Sequence, residues 1–171
     1  MKALFDYFLD LCLFRKGPQD VPWSPALLVL VWAMDLLVGW LLIGDFSIHP
    51  FRALMESLLD SALTLGVLWL LLEWRAKTAR FVQAATAALG SGALLSAIAL
   101  PVSRLAASGV TRSPQADWGG MLLLGLVVWS VAVFGHILRH ALDIKTGEGM
   151  ALSFIYTVLS YSLMNALFAG G

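Results

Sequence analysis

The chain has 171 residues, of which 60% are hydrophobic and only 13% charged, and its mean hydropathy is +0.84. A soluble domain is nearer half apolar and a quarter charged, so water is the wrong solvent for most of this surface. The 11 basic and 11 acidic residues cancel, which leaves no global basic field to recruit nucleic acid.

Residues 1–16 are predicted to form an interfacial amphipathic helix. Leu4, Phe5, Phe8, Leu9 and Cys12 share one helical stripe, with Asp6 and Asp10 opposite. The segment is too short to cross about 30 Å of hydrocarbon, and Lys2, Arg15 and Lys16 suit the lipid head groups. The two aspartates interrupt what would be the apolar region of a cleavable leader, and no small-x-small site follows. The first span is therefore expected to act as its own insertion signal. Cys12, the single cysteine, excludes an internal disulfide. Gly17-Pro18 then breaks the helix. Ser24 is a suitable N-cap, Pro25 a suitable first helical residue, and Trp23 fits the aromatic belt.

Residues 24–171 are predicted to be an all-α membrane protein domain, a bundle of five transmembrane helices. The spans cover about 25–43, 51–72, 81–102, 118–138 and 150–168, each long enough to cross as a helix. Gly44-Asp45 ends the first and Pro50 precedes the second, which stops at Glu73-Trp74-Arg75. Thr78 is placed to cap the third, and Pro101 lies near its end. A polar loop over residues 103–117 carries Arg104, Arg112 and Pro114. The length of the apolar runs and their Ala/Leu composition exclude strands.

One side of the membrane would hold Lys2, Arg15, Lys16, Arg75, Lys77, Arg80, Arg139 and Lys145, and the other only Arg52, Arg104 and Arg112. The positive-inside rule then puts the N-terminus in the cytoplasm and the C-terminus outside. In the third span Ala84, Ala88, Gly92 and Ser96 recur every four residues, a spacing that lets helix backbones approach closely. That span is expected at the centre of the bundle. Gly90-Ser91-Gly92, inside the same apolar helix, reads as packing.

Ionisable groups inside a span are costly and call for an explanation. Asp35 lies about 16 Å into the first span and Asp60 about 14 Å into the second, at 1.5 Å per residue, so both fall near the midplane of adjacent antiparallel helices. Arg52, Glu56 and Asp60 are spaced four apart and form a ladder directed into the membrane. The carboxylates can hydrogen-bond to hydroxyls or to each other as helix glue, form a proton or cation relay, or bind a partner subunit or lipid head group. Spacing does not separate these readings.

His136, Arg139 and His140 form a basic cluster at the C-terminal end of the fourth span, where the macrodipole favours positive charge. A metal site would need three or four convergent ligands, and the third histidine, His49, is expected on the other side; no metal is predicted. Tyr156, Ser160, Tyr161 and Asn165 give the fifth span a polar stripe that suits packing on other helices. Phosphate-binding, nucleophile-elbow and zinc-protease signatures are missing, as is a cysteine pair. Neither enzymatic activity nor a cofactor is expected.

The segment Cys12-Leu-Phe-Arg-Lys-Gly-Pro-Gln-Asp-Val-Pro22 followed by five spans resembles small bacterial membrane proteins of the Yip1-like group, as do the stretches from Arg80 to Pro101 and from Gly135 to His140. The resemblance implies a leading amphipathic helix, a proline-containing turn and a five-helix domain. Eukaryotic relatives are associated with vesicle trafficking and membrane shaping through protein partners, and no catalytic residue carries over from them. The expected protein is thus a bacterial inner-membrane scaffold or accessory subunit, non-enzymatic, with membrane lipids, other membrane subunits or further copies of itself (a homo-oligomer) as partners. The competing expectation is a small proton- or cation-coupled transporter or channel using Asp35, Glu56 and Asp60.

Overall fold

A computed structural model describes residues 2–43, 50–108 and 117–168, with only the backbone described at residues 2, 3, 43 and 50. Six α-helices follow one another: α1 (Lys2–Cys12), α2 (Pro25–Ile43), α3 (Pro50–Trp74), α4 (Phe81–Ala107), α5 (Trp118–Leu142) and α6 (Thr146–Phe168). Short 3₁₀ turns at Pro18–Asp20 and Thr78–Arg80 precede α2 and α4. Helices α2 to α6 are long and apolar enough to cross a bilayer, and the protein is an all-α, multi-pass membrane bundle.

The outer surface has the character that lipid requires. Leu30, Leu37, Leu70, Leu122, Val128 and Leu159 are all exposed, whereas a soluble protein rarely leaves contiguous apolar patches of that extent. Backbone polar groups at that depth have no water to turn to, so helices that satisfy their own hydrogen bonds are the only open-surface solution.

Helix α4 stands at the centre, packed against α1, α2, α3 and α5. Ten of its residues, from Ala84 through Leu95, are buried, most of them Ala, Gly, Ser or Thr. Small side chains let four neighbours reach one backbone. The buried core is concentrated at one end, where Leu68 and Leu72 of α3, Ala84 and Ala85 of α4 and Leu138, Ala141 and Leu142 of α5 form one cluster. That end also carries most of the Lys and Arg. The far halves of α5 and α6 are largely exposed, so the bundle is tight at the basic end and opens away from it.

Three local devices hold the neighbours. Between α5 and α6, a Cβ at Gly149 would sit 2.6 Å from the Gly135 carbonyl oxygen, so two backbones touch where only glycine fits. Nearby, the buried Ser153 hydroxyl donates to the Val131 carbonyl at 2.7 Å. Between α2 and α3, the buried Ser57 hydroxyl donates to the Leu36 carbonyl at 3.2 Å. The sequence marked neither Gly135 nor Gly149 as a packing residue.

The helix ends depart from the apolar runs in a consistent way. Ser24 caps α2 as expected, its hydroxyl accepting the Leu27 amide at 3.3 Å. Thr78 does not cap α4; it opens the 3₁₀ turn, and the residue preceding α4, Arg80, makes no side-chain cap. Helix α4 runs through Pro101 to Ala107, α5 extends to Leu142, and α6 begins at Thr146. Hydropathy marks the hydrocarbon boundary, but helical hydrogen bonding continues into the polar zone until a cap ends it. The expected signals at Gly44-Asp45, His49, Arg112 and Pro114 lie outside the described residues.

Helix α1 is docked on the bundle rather than resting against lipid alone. Its Tyr7, Phe8, Leu11 and Cys12 are buried, and a Cβ at Gly90 would lie 2.1 Å from the Phe8 ring. Gly90 is nine residues past the start of α4, about 13 Å along it. The indole of Trp129 on α5 donates to the Cys12 carbonyl at 2.9 Å, and His136 meets the Lys16 carbonyl at 3.1 Å. The chain turns back after α1 through Phe14, whose φ of 61° closes the helix end, while the Tyr7 hydroxyl donates to the Gly17 carbonyl at 2.7 Å.

Two predictions follow from this packing. Gly149→Ala drives a methyl into the α5 backbone and is expected to cost about 1–3 kcal/mol. Gly66→Ala meets nothing within 4 Å and is expected to gain about 0.5–1 kcal/mol. Thermal melts in one detergent should move in opposite directions, and equal shifts would overturn the α5–α6 contact. Burial also pushes the Cys12 thiol up to about 11. Maleimide should label it on the order of 10²-fold more slowly in the folded protein than in the unfolded chain at neutral pH. Trp129→Phe should raise the folded rate several-fold, and an unchanged rate would show that the indole does not hold α1.

Candidate functional site

Each span brings a few polar side chains to its middle, and they do not scatter. A cavity of about 380 Å³ lies between α3, α4, α5 and α6. Asp60 and Thr64 reach it from α3, Ser91 and Gly92 from α4, Ser130 from α5, and Tyr156, Thr157, Ser160 and Tyr161 from α6. Asp60 is 14 residues from Trp74 and Ser91 ten from Phe81, so at 1.5 Å per residue both lie roughly 15–21 Å from the basic end. No Lys or Arg is among the residues lining this space.

Two hydrogen bonds join α3 and α6 beside the cavity. Ser160 donates to Asp60 Oδ1 at 3.1 Å, and the Thr64 and Tyr156 hydroxyls meet at 2.7 Å. The Thr64 hydroxyl also donates to the Asp60 carbonyl, four residues back, at 3.0 Å. A hydroxyl has one proton to give, so Tyr156 is the donor to Thr64. Its ring packs on Phe134 at 5.1 Å between centroids, which fixes it at the seam.

Asp35 approaches from the other side of α4. A Cβ at Gly92 would sit 3.4 Å from Asp35 Oδ1, and Gly92 borders the cavity. Asp35 and Asp60 are close enough to feel each other's charge. Asp60 is exposed in the cavity and Asp35 half-buried. Among the described residues no hydrogen bond or ion pair reaches the Asp35 side chain.

The expected Arg52–Glu56–Asp60 ladder divides. Arg52 Nε donates to Glu56 Oε1 at 2.8 Å, and a second guanidinium nitrogen donates to the Phe168 carbonyl. Arg52 thus caps the end of α6, where a positive charge is favoured. Asp60 turns away to Ser160, because one helical turn further along the facing partner is α6's hydroxyl stripe rather than another α3 residue. Of the small residues expected to pack, Ala84 and Ala88 are buried, while Gly92 and Ser96 are half-buried. Gly92 serves the cavity, and the tight contact in this stretch is made by Gly90. In α6, Tyr156 and Ser160 pack at the seam, while Tyr161 is 73% exposed. Three residues of the polar stripe, Tyr156, Ser160 and Tyr161, line the cavity, while Asn165 is exposed outside its lining.

The His136, Arg139 and His140 cluster separates into two faces. The His136 and His140 rings meet at a tilt, 4.3 Å between centroids, and His136 also meets the Phe14 ring at 5.3 Å; His136 thereby seats the turn after α1. Arg139 is exposed and its backbone lies against Gly149. Among the described residues no group of three or more His, Cys, Asp or Glu side chains converges.

The sequence did not single out the clasp that ends α5. Asp143 takes a φ of 53° and accepts from Lys77 at 2.6 Å and Arg80 at 2.9 Å. Lys77 also donates to the Leu142 carbonyl at 2.8 Å, so the α3–α4 turn neutralises the negative end of α5.

Hydrogen bonds from Lys77 and Arg80 hold the Asp143 carboxyl below the usual carboxylate range. Unfolded, Asp143 titrates near the ordinary value of about 3.9. The clasp is therefore intact above that pH and lost as pH falls through the lower folded value. Acidifying from pH 6 to pH 3 should cost the wild type more thermal stability than Asp143→Asn, and the difference should shrink in high salt because the pair is exposed. A difference that grows with salt would refute the clasp.

No family model, curated protein or solved structure matches this chain.

Proposed function

We propose that this protein is a small, non-enzymatic cation- or proton-coupled carrier of the bacterial inner membrane. In this reading the cavity between α3, α4, α5 and α6 holds the transported charge. Asp60 is the primary counter-ion, Asp35 the second carboxylate, and the surrounding hydroxyls complete the coordination. The basic end lies in the cytoplasm, following the positive-inside rule. A descent shared with the Yip1-like group belongs to the same proposal and assigns no residue a role.

The observation that carries the reading is the cavity itself. Polar groups used only as helix glue pair across an interface and leave no space, as Ser57 and Ser153 do here. Asp60 pairs with Ser160 across the α3–α6 seam, yet with Ser91, Ser130 and Thr157 it also borders about 380 Å³ that has no basic side chain in its lining. Carboxylates near the middle of spans belong to pathways, relays or partners. The scaffold reading, in which a partner helix covers Asp60, is supported by the exposure of Tyr161 and Asn165 on the neighbouring α6.

Reconstituted in liposomes, the wild type should dissipate an imposed proton or monovalent-cation gradient faster than empty vesicles. Asp60→Asn should cut the rate at least tenfold and Asp35→Asn by a smaller factor. Arg139→Gln, on an exposed face away from the cavity, should leave it unchanged. Wild-type flux equal to that of empty vesicles, together with unaltered co-purification of membrane partners by the double Asn variant, would overturn the carrier in favour of a scaffold.

A further inference from the structure

A second cavity lies against the same seam. On the outer side of the polar one, α3 and α6 stand apart and leave an apolar groove of about 370 Å³. Leu63, Val67 and Leu71 line it from α3, and Ile155, Leu159 and Leu163 from α6. Only these two helices contribute, so the groove faces lipid, whereas α4 and α5 close the polar cavity from behind. Tyr156 and Ser160 line both spaces. The two volumes therefore meet across one thin wall, the Tyr156–Thr64 and Ser160–Asp60 hydrogen bonds.

We infer that the seam binds an amphiphilic cation, an alkylammonium whose head occupies the polar cavity beside Asp60 and whose single tail lies in the α3–α6 groove. This rests on the reading that the cavity binds a cation, and names the class of that cation and its route. Charge selects the head, since the lining offers a carboxylate and hydroxyl acceptors but no Lys or Arg. Phe134, Tyr156 and Tyr161 add aromatic faces to the same lining, and ammonium groups favour such faces. The groove selects the tail.

The tail's contribution differs from that in a soluble pocket. A hydrocarbon chain already dissolved in lipid gains no hydrophobic free energy on moving to a protein groove. Partitioning instead raises the local concentration of the ligand at the depth of the seam, and the groove aligns the chain with the carboxylate. Entry from the groove side parts the hydrogen bond between the Tyr156 and Thr64 hydroxyls. A hydrophilic cation of the same head chemistry lacks this route.

The test uses the full chain in phosphatidylcholine nanodiscs, with empty nanodiscs subtracted, and radiolabelled dodecyltrimethylammonium and tetramethylammonium as probes. Saturable binding of the dodecyl probe is expected, at least tenfold tighter than that of tetramethylammonium. Leu159→Trp fills the groove from an exposed position. It should weaken the dodecyl probe at least tenfold and leave tetramethylammonium unchanged, with an unaltered melt confirming the fold. Asp60→Asn should weaken both. Equal affinity of the two probes, or a dodecyl probe indifferent to Leu159→Trp, would overturn the amphiphile site while leaving a cation-binding cavity. If neither probe binds saturably, both the site and the cation reading behind it are overturned.

Discussion

Close backbone approach along α4 is the constraint from which the rest of the molecule follows. Buried residues from Ala84 to Leu95 carry little side-chain volume, so α1, α2, α3 and α5 can all pack on one rod. Lipid tails are as apolar as leucine, which removes the hydrophobic incentive for helices to associate inside a bilayer. Dispersion at short range and hydrogen bonds across interfaces must do it instead. Both need small residues: Gly90 under Phe8, Gly149 against Gly135, and serine hydroxyls that reach neighbouring carbonyls.

That same economy of volume explains the cavity. Where α4 offers Ser91 and Gly92 rather than leucine, the surrounding helices are held apart by contacts made elsewhere, at the basic end and along α2. The space between them cannot collapse without breaking those contacts, since packed helices are stiff at the scale of a methyl group. Asp60 and a set of hydroxyls share its lining with Leu95, Val133, Phe134 and Met164. Tight packing at one end of the bundle and a polar opening near its middle are two results of one distribution of small residues.

The helical class and the five spans were legible because a bilayer imposes length and hydropathy on every crossing. The central place of α4 was legible from its four-residue small repeat. Asp35 and Asp60 were legible as residues needing an explanation, since charge inside a span is rare. Partner choice was not. The Arg52–Glu56–Asp60 spacing is real on α3, but Asp60's partner is Ser160, a hundred residues away, and helical periodicity carries no information about which neighbour a face meets. The clasp at Asp143 was hidden for a related reason, as it joins two short turns distant in sequence. Helix ends were displaced by a few residues because capping, rather than hydropathy, stops a helix.

The docking of α1 has a consequence for the order of assembly. Its binding surface is built from Gly90 on α4 and from Trp129 and His136 on α5, all synthesised long after α1 itself. When α1 leaves the ribosome its receptor does not exist. Through the insertion of α2, α3 and α4 it must wait as an unattached amphipathic segment, and it settles only when α5 has joined the bundle. Helix α1 is thus made before its receptor, and its seating marks a completed core.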